Sequence, residues 1–154
     1  MPARAEMYGE LALVIQRQTM WTVLLHNTVA GKAGINVTDM QCVNLLILEG
    51  PLTPGQLAKA MGVTTGGAIT AVVDRLERAG FVKRTRDADD RRRVIVELVP
   101  GKVEHLGSYF EPMGRAFAER LEAYTDEQIA FLLEFGKRNN EQMPAIIEEV
   151  QALP

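Results

Sequence analysis

The sequence predicts a mainly α fold carrying one small β-hairpin, and three observations predict it. Apolar residues recur at spacings of three and four through most of the 154 residues, the mark of amphipathic helices. One stretch, Arg92–Val99, alternates at the period of a strand, with Val94, Val96 and Leu98 on one face and Arg93, Ile95 and Glu97 on the other. Beside it lies the positive charge. Residues 59–102 hold 10 Lys and Arg against 6 Asp and Glu, in a chain whose net charge is −3. An acidic chain that gathers its cations in one segment carries an electrostatic footprint for a polyanion.

The elements follow in order. Residues 3–30 read as a first long helix, with Met7, Leu11, Val14, Ile15, Trp21, Leu25 and Val29 as its stripe and Gly31 and Gly34 at its end. Val37 or Thr38 opens a second helix that runs to Glu49 and stops at Gly50-Pro51. Thr53-Pro54-Gly55-Gln56 is a strong helix start, because threonine caps free amides, proline suits the first helical position and Gln56 completes a capping box. That third helix ends near Met61, with Gly62 placed for a left-handed cap. Thr64 or Thr65 caps a fourth helix that runs to Ala79, followed by Gly80.

Strands then span Phe81–Arg86 and Arg92–Val99 around the polar turn Asp87-Ala88-Asp89-Asp90. Pro100-Gly101 leads into a long helix striped by Val103, Leu106, Phe110, Met113, Phe117, Leu121 and Tyr124, with a kink expected at Pro112. Thr125-Asp126-Glu127-Gln128 caps a last helix through about Met143. Pro144 is expected to interrupt it, leaving Ala145–Leu153 as a short helical tail.

Two short helices, a tight turn between them and a basic hairpin make a winged helix-turn-helix over residues 37–100. Residues 1–36, a helix and linker, and residues 101–154, the C-terminal helices, flank it. On the fourth helix, Ile69, Val72, Val73 and Leu76 fall inward. The opposite side presents Thr64, Gly67, Ala71 and Arg78, with Thr70 and Arg75 on the flanks. Such a face is small enough for a backbone to approach a groove, and threonines and helix amides bond phosphates. The hairpin adds Arg84, Arg86, Arg91, Arg92 and Arg93, whose planar heads suit phosphates and a narrow minor groove. Asp89 and Asp90 are expected to hold these arginines in one geometry. The candidate DNA-binding residues are Thr64, Thr65, Gly67, Thr70, Ala71, Arg75, Arg84, Arg86, Asp90, Arg91, Arg92 and Arg93.

These residues resemble the MarR family of bacterial transcription regulators, most closely over LTPGQLAKAMGV, DRLERAGFVKR and DADDRRRVIVELV. The family's Asp-x-Arg wing element falls on Asp90 and Arg92. The resemblance implies a homodimer with interlocked terminal helices, recognition helices in successive major grooves, and wings in the flanking minor grooves. It also implies a repressor released from a palindromic operator by a small aromatic or phenolic effector. Trp21, Cys42, Tyr109 and Met113 are candidates for lining that pocket. The long apolar stripes at both ends give dimerisation a physical motive as well.

Other classes find less support. No Gly-rich phosphate loop, metal-ligand spacing or nucleophile–base pair is present, so no enzyme, cofactor or metal is expected. No apolar run reaches a membrane span, and the N-terminus does not read as a signal peptide. With Cys42 as the only cysteine, a cytoplasmic location fits. Two alternatives stay open: a winged-helix protein-interaction module without operator binding, and a regulator that senses oxidation through Cys42. Five wing arginines argue against the first. Against the second, a lone cysteine on an apolar helix face is usually a small buried hydrophobe.

Overall fold

Helix α1 (Arg4–Ala33) is long because nothing in it breaks the pattern until Gly34, whose φ of 70° turns the chain left-handed while its N–H reaches back to the Ala30 and Gly31 carbonyls. Gly31, expected to share in ending the helix, continues it. The computed structural model describes residues 3–63, 66–87 and 89–153. Of α1 only Val29 and Ala30 are buried, so this helix enters the core by its last turns alone.

Helix α2 (Val37–Glu49) starts from a reciprocal cap. The Asn36 carboxamide oxygen accepts the Asp39 N–H at 2.8 Å, and Asp39 Oδ2 accepts the Asn36 N–H at 3.3 Å. The expected capping box closes α3 (Pro54–Ala60): Thr53 Oγ1 accepts the Gln56 N–H at 3.2 Å and Gln56 Oε1 accepts the Thr53 N–H at 2.8 Å. Gly62 follows at φ 64°, as its position past the helix end suggests. Helix α4 spans Gly66–Arg78. Thr64 and Thr65, the expected caps, lie outside the described residues.

Gly80 at φ 78° turns the chain out of α4 and into β1 (Val82–Arg86), a conformation strained for any residue with a Cβ. Strand β2 (Val94–Leu98) pairs antiparallel with β1, Val82 opposite Leu98 and Arg86 opposite Val94. The second strand is shorter than expected because the Arg93 N–H bonds the Asp90 carbonyl at 2.8 Å, which assigns Arg92 and Arg93 to the turn. On its other edge, Val96 exchanges both backbone hydrogen bonds with Leu52, at 2.8 and 3.1 Å, tying the hairpin to the segment before α3.

One core serves these elements. Met40, Val43 and Leu46 of α2, Leu57 of α3, and Ile69, Val72, Val73 and Leu76 of α4 meet Phe81, Val82 and Val96. Leu106 of α5 (Pro100–Ser108) joins them. All four α4 residues read as inward-facing from the helical period are buried.

Two prolines act differently from their expected roles. A single kinked helix was expected through Pro112. The chain instead ends α5 at Ser108, passes Tyr109-Phe110, and starts α6 (Glu111–Leu121) with Pro112 in its first turn. There a missing N–H costs nothing, since first-turn amides have no helical partner. Pro144 was expected to end the last helix, yet α7 runs unbroken over Asp126–Gln151 with Pro144 inside. Its ring removes one bond, to the Asn140 carbonyl, while strong helix formers on both sides carry the helix through. The expected cap of α7 is present: Thr125 Oγ1 accepts the Gln128 N–H at 3.3 Å.

The chain divides into two compact units, Met1–Phe110 and Glu111–Pro154. The first holds the core. In the second, α6 and α7 have no buried residue, and Phe117, Phe131 and Leu133 are each more than half exposed.

The core sets a clear expectation for stability. Leu76→Ala, at a fully buried position, should lower unfolding free energy by about 2–5 kcal/mol through lost transfer energy and the cavity left behind. Leu48→Ala, at a side chain 79% exposed, should change it by no more than about 0.5 kcal/mol. Urea titration of both variants measures the difference.

Candidate nucleic-acid interface

Helix α4 divides cleanly into two sides. Ile69, Val72, Val73 and Leu76 are buried, which leaves Gly67, Thr70, Ala71 and Arg78 exposed. The exposed side is almost free of bulk, so a groove wall can approach the backbone closely. Threonine and alanine methyls there match thymine methyls in size and polarity. Thr64 and Thr65 cannot be placed with this group, being outside the described residues.

Two arginines proposed for DNA contact are committed within the protein. Arg75 meets Asp39 edge on. Its Nε donates to both carboxylate oxygens at 3.2 Å, and its Nη2 donates to Oδ1 at 2.7 Å. Asp39 is buried, and the Arg75 side chain retains 38% exposure. Hydrogen bonding to Asp39 holds the Arg75 proton more firmly than usual. Arg84 of β1 reaches back to α4, where Nη1 pairs with Glu77 and Nη2 with Asp74, and its backbone N–H donates to Glu77 Oε1 at 3.2 Å. Burial disfavours the charged Arg84, but the hydrogen bonds to Asp74 and Glu77 outweigh it, so the net shift is upward. The fourth helix is thus tied to α2 on one side and to β1 on the other.

Sequence reasoning missed Asp39. The Asn36-x-x-Asp39 spacing signals a capping box, and that explains one of its contacts. The partner that matters more, Arg75, is 36 residues away and left no local trace.

The hairpin tip uses its carboxylates differently from expectation. Asp89 and Asp90 were expected to hold arginine side chains. Asp87 does this instead, with Oδ2 lying 3.7 Å from Arg93 Nη1. Its Oδ1 accepts the Asp89 and Asp90 N–H groups at 2.9 and 3.3 Å, and those bonds hold the Asp87 carboxyl below its ordinary value. Asp90 Oδ1 accepts the Arg92 N–H at 3.0 Å. The physical reason is that a short aspartate in a turn reaches the following amides more easily than a neighbour's long side chain. Arg86 donates to the Arg91 carbonyl at 3.2 Å. Arg91 and Arg92 are exposed, and among the described residues no carboxylate pairs with either head. Asp87 and Asp90 thus spend their carboxylates within the turn, while the Arg91 and Arg92 guanidinium groups keep no carboxylate partner among the described residues.

The candidate ligand residues fall in distinct settings. Trp21 is exposed on α1 and lines a shallow cleft of about 390 Å³ with Leu13, Val14 and Arg17. Tyr109 packs against the core and its hydroxyl lies 3.2 Å from His105 Nε2. Cys42 is wholly buried in the core. Met113 belongs to the second unit, where it is half exposed.

Comparison with known proteins gives this geometry a context. A family model described as MarR family matches residues 35–94, the segment from the start of α2 into β2. The uncharacterized HTH-type transcriptional regulator YcgE of Bacillus subtilis is 31% identical over 149 residues, spanning 97% of this chain and 96% of that protein. Among solved structures, a MarR family protein from Bacillus stearothermophilus is similar at a TM-score of 0.69 and 23% identity, covering 93% of this chain and 99% of the other. A mutant MarR from E. coli complexed with operator DNA is similar at a TM-score of 0.53 and 22% identity, over 89% of this chain and 98% of that one. These two share the mainly helical fold with its two-stranded hairpin.

Cys42 supplies a test by pH. Burial first, and the charge of Asp39 second, push its thiol from 9.0 up to about 11. The folded state therefore keeps a proton that the unfolded state releases earlier. The associated stability is fully present below pH 9 and is lost as pH rises towards 11, about 3 kcal/mol in all. Cys42→Ala should flatten that part of the stability-against-pH curve. In the native wild type at neutral pH, the thiol should react with iodoacetamide far more slowly than in urea.

Proposed function

The chain belongs to the MarR family of DNA-binding transcription regulators and is not an enzyme; on that premise we propose that it works as a homodimeric repressor seated on a palindromic operator. The observation that carries this reading is the pair of uncommitted guanidinium groups, Arg91 and Arg92, on a hairpin beside the small exposed side of α4. Gly67, Thr70 and Ala71 enter a major groove. Arg91 and Arg92, with Arg86 and Arg93 beside them, follow phosphates into the adjoining minor groove. Asp90 contributes by fixing the turn at Arg92. A repressor acts by occupancy: a dimer lying across its site excludes other proteins from it.

The dimer has a strong motive. Leu13, Val14 and Trp21 on α1, and Phe117, Phe131 and Leu133 on α6 and α7, are each between 56% and 67% exposed. Apolar patches of that extent are rare on monomers. Burying one such side chain contributes about 1.5–3 kcal/mol. A two-fold pair of chains presents two equal recognition helices roughly 34 Å apart, one turn of duplex. The DNA partner implies action in the cytoplasm.

For control, a small aromatic acid serves as effector. The Trp21 cleft has an apolar wall and carries both Arg17 and Glu10; Trp21 suits a ring and Arg17 its carboxylate. Such a ligand releases DNA only by favouring a lobe spacing that differs from the bound one.

Two measurements check this. Sedimentation at micromolar concentration should give a dimer, and a folded, monodisperse monomer would remove the assembly. On an operator obtained by selection from genomic fragments, Arg92→Ala should weaken binding by about 1–3 kcal/mol and reduce the salt slope. The same titration with benzoate present should show weaker binding. Unchanged affinity in Arg92→Ala would take the wing tip out of the interface.

A further inference from the structure

We propose that Asp39 is a positioning residue for DNA recognition: by gripping Arg75 it sets how α4 is offered to the groove, and Arg75 acts through that grip without touching DNA. The inference rests on the operator-binding reading above.

Three observations carry it. Asp39 is the one charged side chain that is buried among the described residues. A buried carboxylate is costly unless fully bonded, and this one takes the Asn36 N–H at 3.3 Å together with the Nε and Nη2 edge of Arg75. Second, apart from the links of Arg84 to Asp74 and Glu77, which are 50% and 40% exposed, the α4 anchorage is apolar. Ile69, Val72, Val73 and Leu76 hold the helix down, but such contacts are non-directional and tolerate small rotations of the helix about its axis. A bidentate arginine–carboxylate pair does not, because two parallel hydrogen bonds fix direction as well as distance. Third, the placement gives leverage. Asp39 is fixed in the first turn of α2 by its own cap. Arg75 lies about one and two helical turns from Ala71 and Gly67, on the same rigid rod. Turning the rod at Arg75 turns the groove-facing side with it.

The same geometry argues against a phosphate contact by Arg75. A phosphate would have to compete with a buried carboxylate that already holds the edge best shaped for bidentate binding.

The test uses the full chain and its selected operator. Asp39→Asn keeps the shape and removes the charge. Arg75→Lys keeps the charge and removes the fork. If the pair positions α4, both variants weaken operator binding about tenfold. Both leave affinity for unrelated duplex within about twofold, and leave the slope of log affinity against log salt at its wild-type value, because no phosphate contact is lost. If Arg75 instead contacts DNA, Asp39→Asn frees a cation and binds as tightly as wild type or tighter, Arg75→Lys stays near wild type, and Arg75→Gln flattens the slope. Any of these overturns the proposal. Hydrogen exchange without DNA gives an independent readout: α4 amides should exchange faster in Asp39→Asn, with thermal unfolding confirming a folded sample. Equal protection overturns the proposal. Should Asp39→Asn fold poorly, the same exchange and binding measurements on Arg75→Lys decide. A wild-type protein that selects no DNA counts against the operator reading, and the exchange measurement then decides on the grip alone.

Discussion

Everything this chain offers to DNA depends on the burial of one side of α4. Four apolar residues on that side join a core built by α2, α3 and the hairpin, and their burial forces the opposite side outward. The outward side carries little bulk on its early turns, and under the operator reading that lets the helix backbone come close to a groove. Gly67, Thr70 and Ala71 lie there. The hairpin is placed by the same core. Phe81, Val82 and Val96 are buried in it, so the strands cannot move away from α4 without opening the core. Packing thus decides where helix and wing lie, and the polar links of Arg84 to Asp74 and Glu77 tie the two together.

Charge is managed with similar economy. The protein is acidic overall, which works against approach to a polyanion. Around the hairpin and α4, however, most carboxylates have a use that draws them away from the surface potential. Asp39, Asp74 and Glu77 are paired with arginines. Asp87 and Asp90 are turned onto backbone amides. Among the described residues, Arg91 and Arg92 at the hairpin tip remain without a carboxylate, as do Arg86, which bonds the Arg91 carbonyl, and Arg78, which bonds the Asp74 carbonyl. A count of charges along the chain finds the basic segment but cannot separate the arginines that hold the lobe together from those left for a partner. Geometry makes that separation.

Local patterns were legible in the sequence to the extent that local physics determined them. The capping boxes at Thr53 and Thr125, the left-handed Gly62 and Gly80, and the inward face of α4 follow from residues within one or two turns of each other. Pro112 and Pro144 were misjudged for a related reason. Proline forbids one hydrogen bond and does not say which helix it belongs to. Whether it sits in a first turn, as Pro112 does, or inside a helix that outlasts it, as Pro144 does, depends on the length of the flanking helices. The Asp39–Arg75 pair was invisible because its two halves are far apart in sequence. The fine assignment of Asp87, Asp89 and Asp90 was equally hidden, since four residues of a turn admit several hydrogen-bonding arrangements of nearly the same composition.

The apolar stripes and the sparse cations at the wing tip bear on the same question. One lobe offers DNA a few uncommitted guanidinium groups and a recognition side without a long polar side chain on its first turns. Each phosphate contact adds a modest, salt-sensitive increment, so a single lobe is a weak binder. Joining two lobes makes the second contact intramolecular and raises its effective concentration without any new residue at the interface. The exposed leucines and phenylalanines of α1, α6 and α7 have no part in a DNA-binding lobe, and in water they favour association. Under the homodimer reading the two facts explain each other. The lobe can remain individually weak, and hence easily released, because the helices outside it supply the second copy.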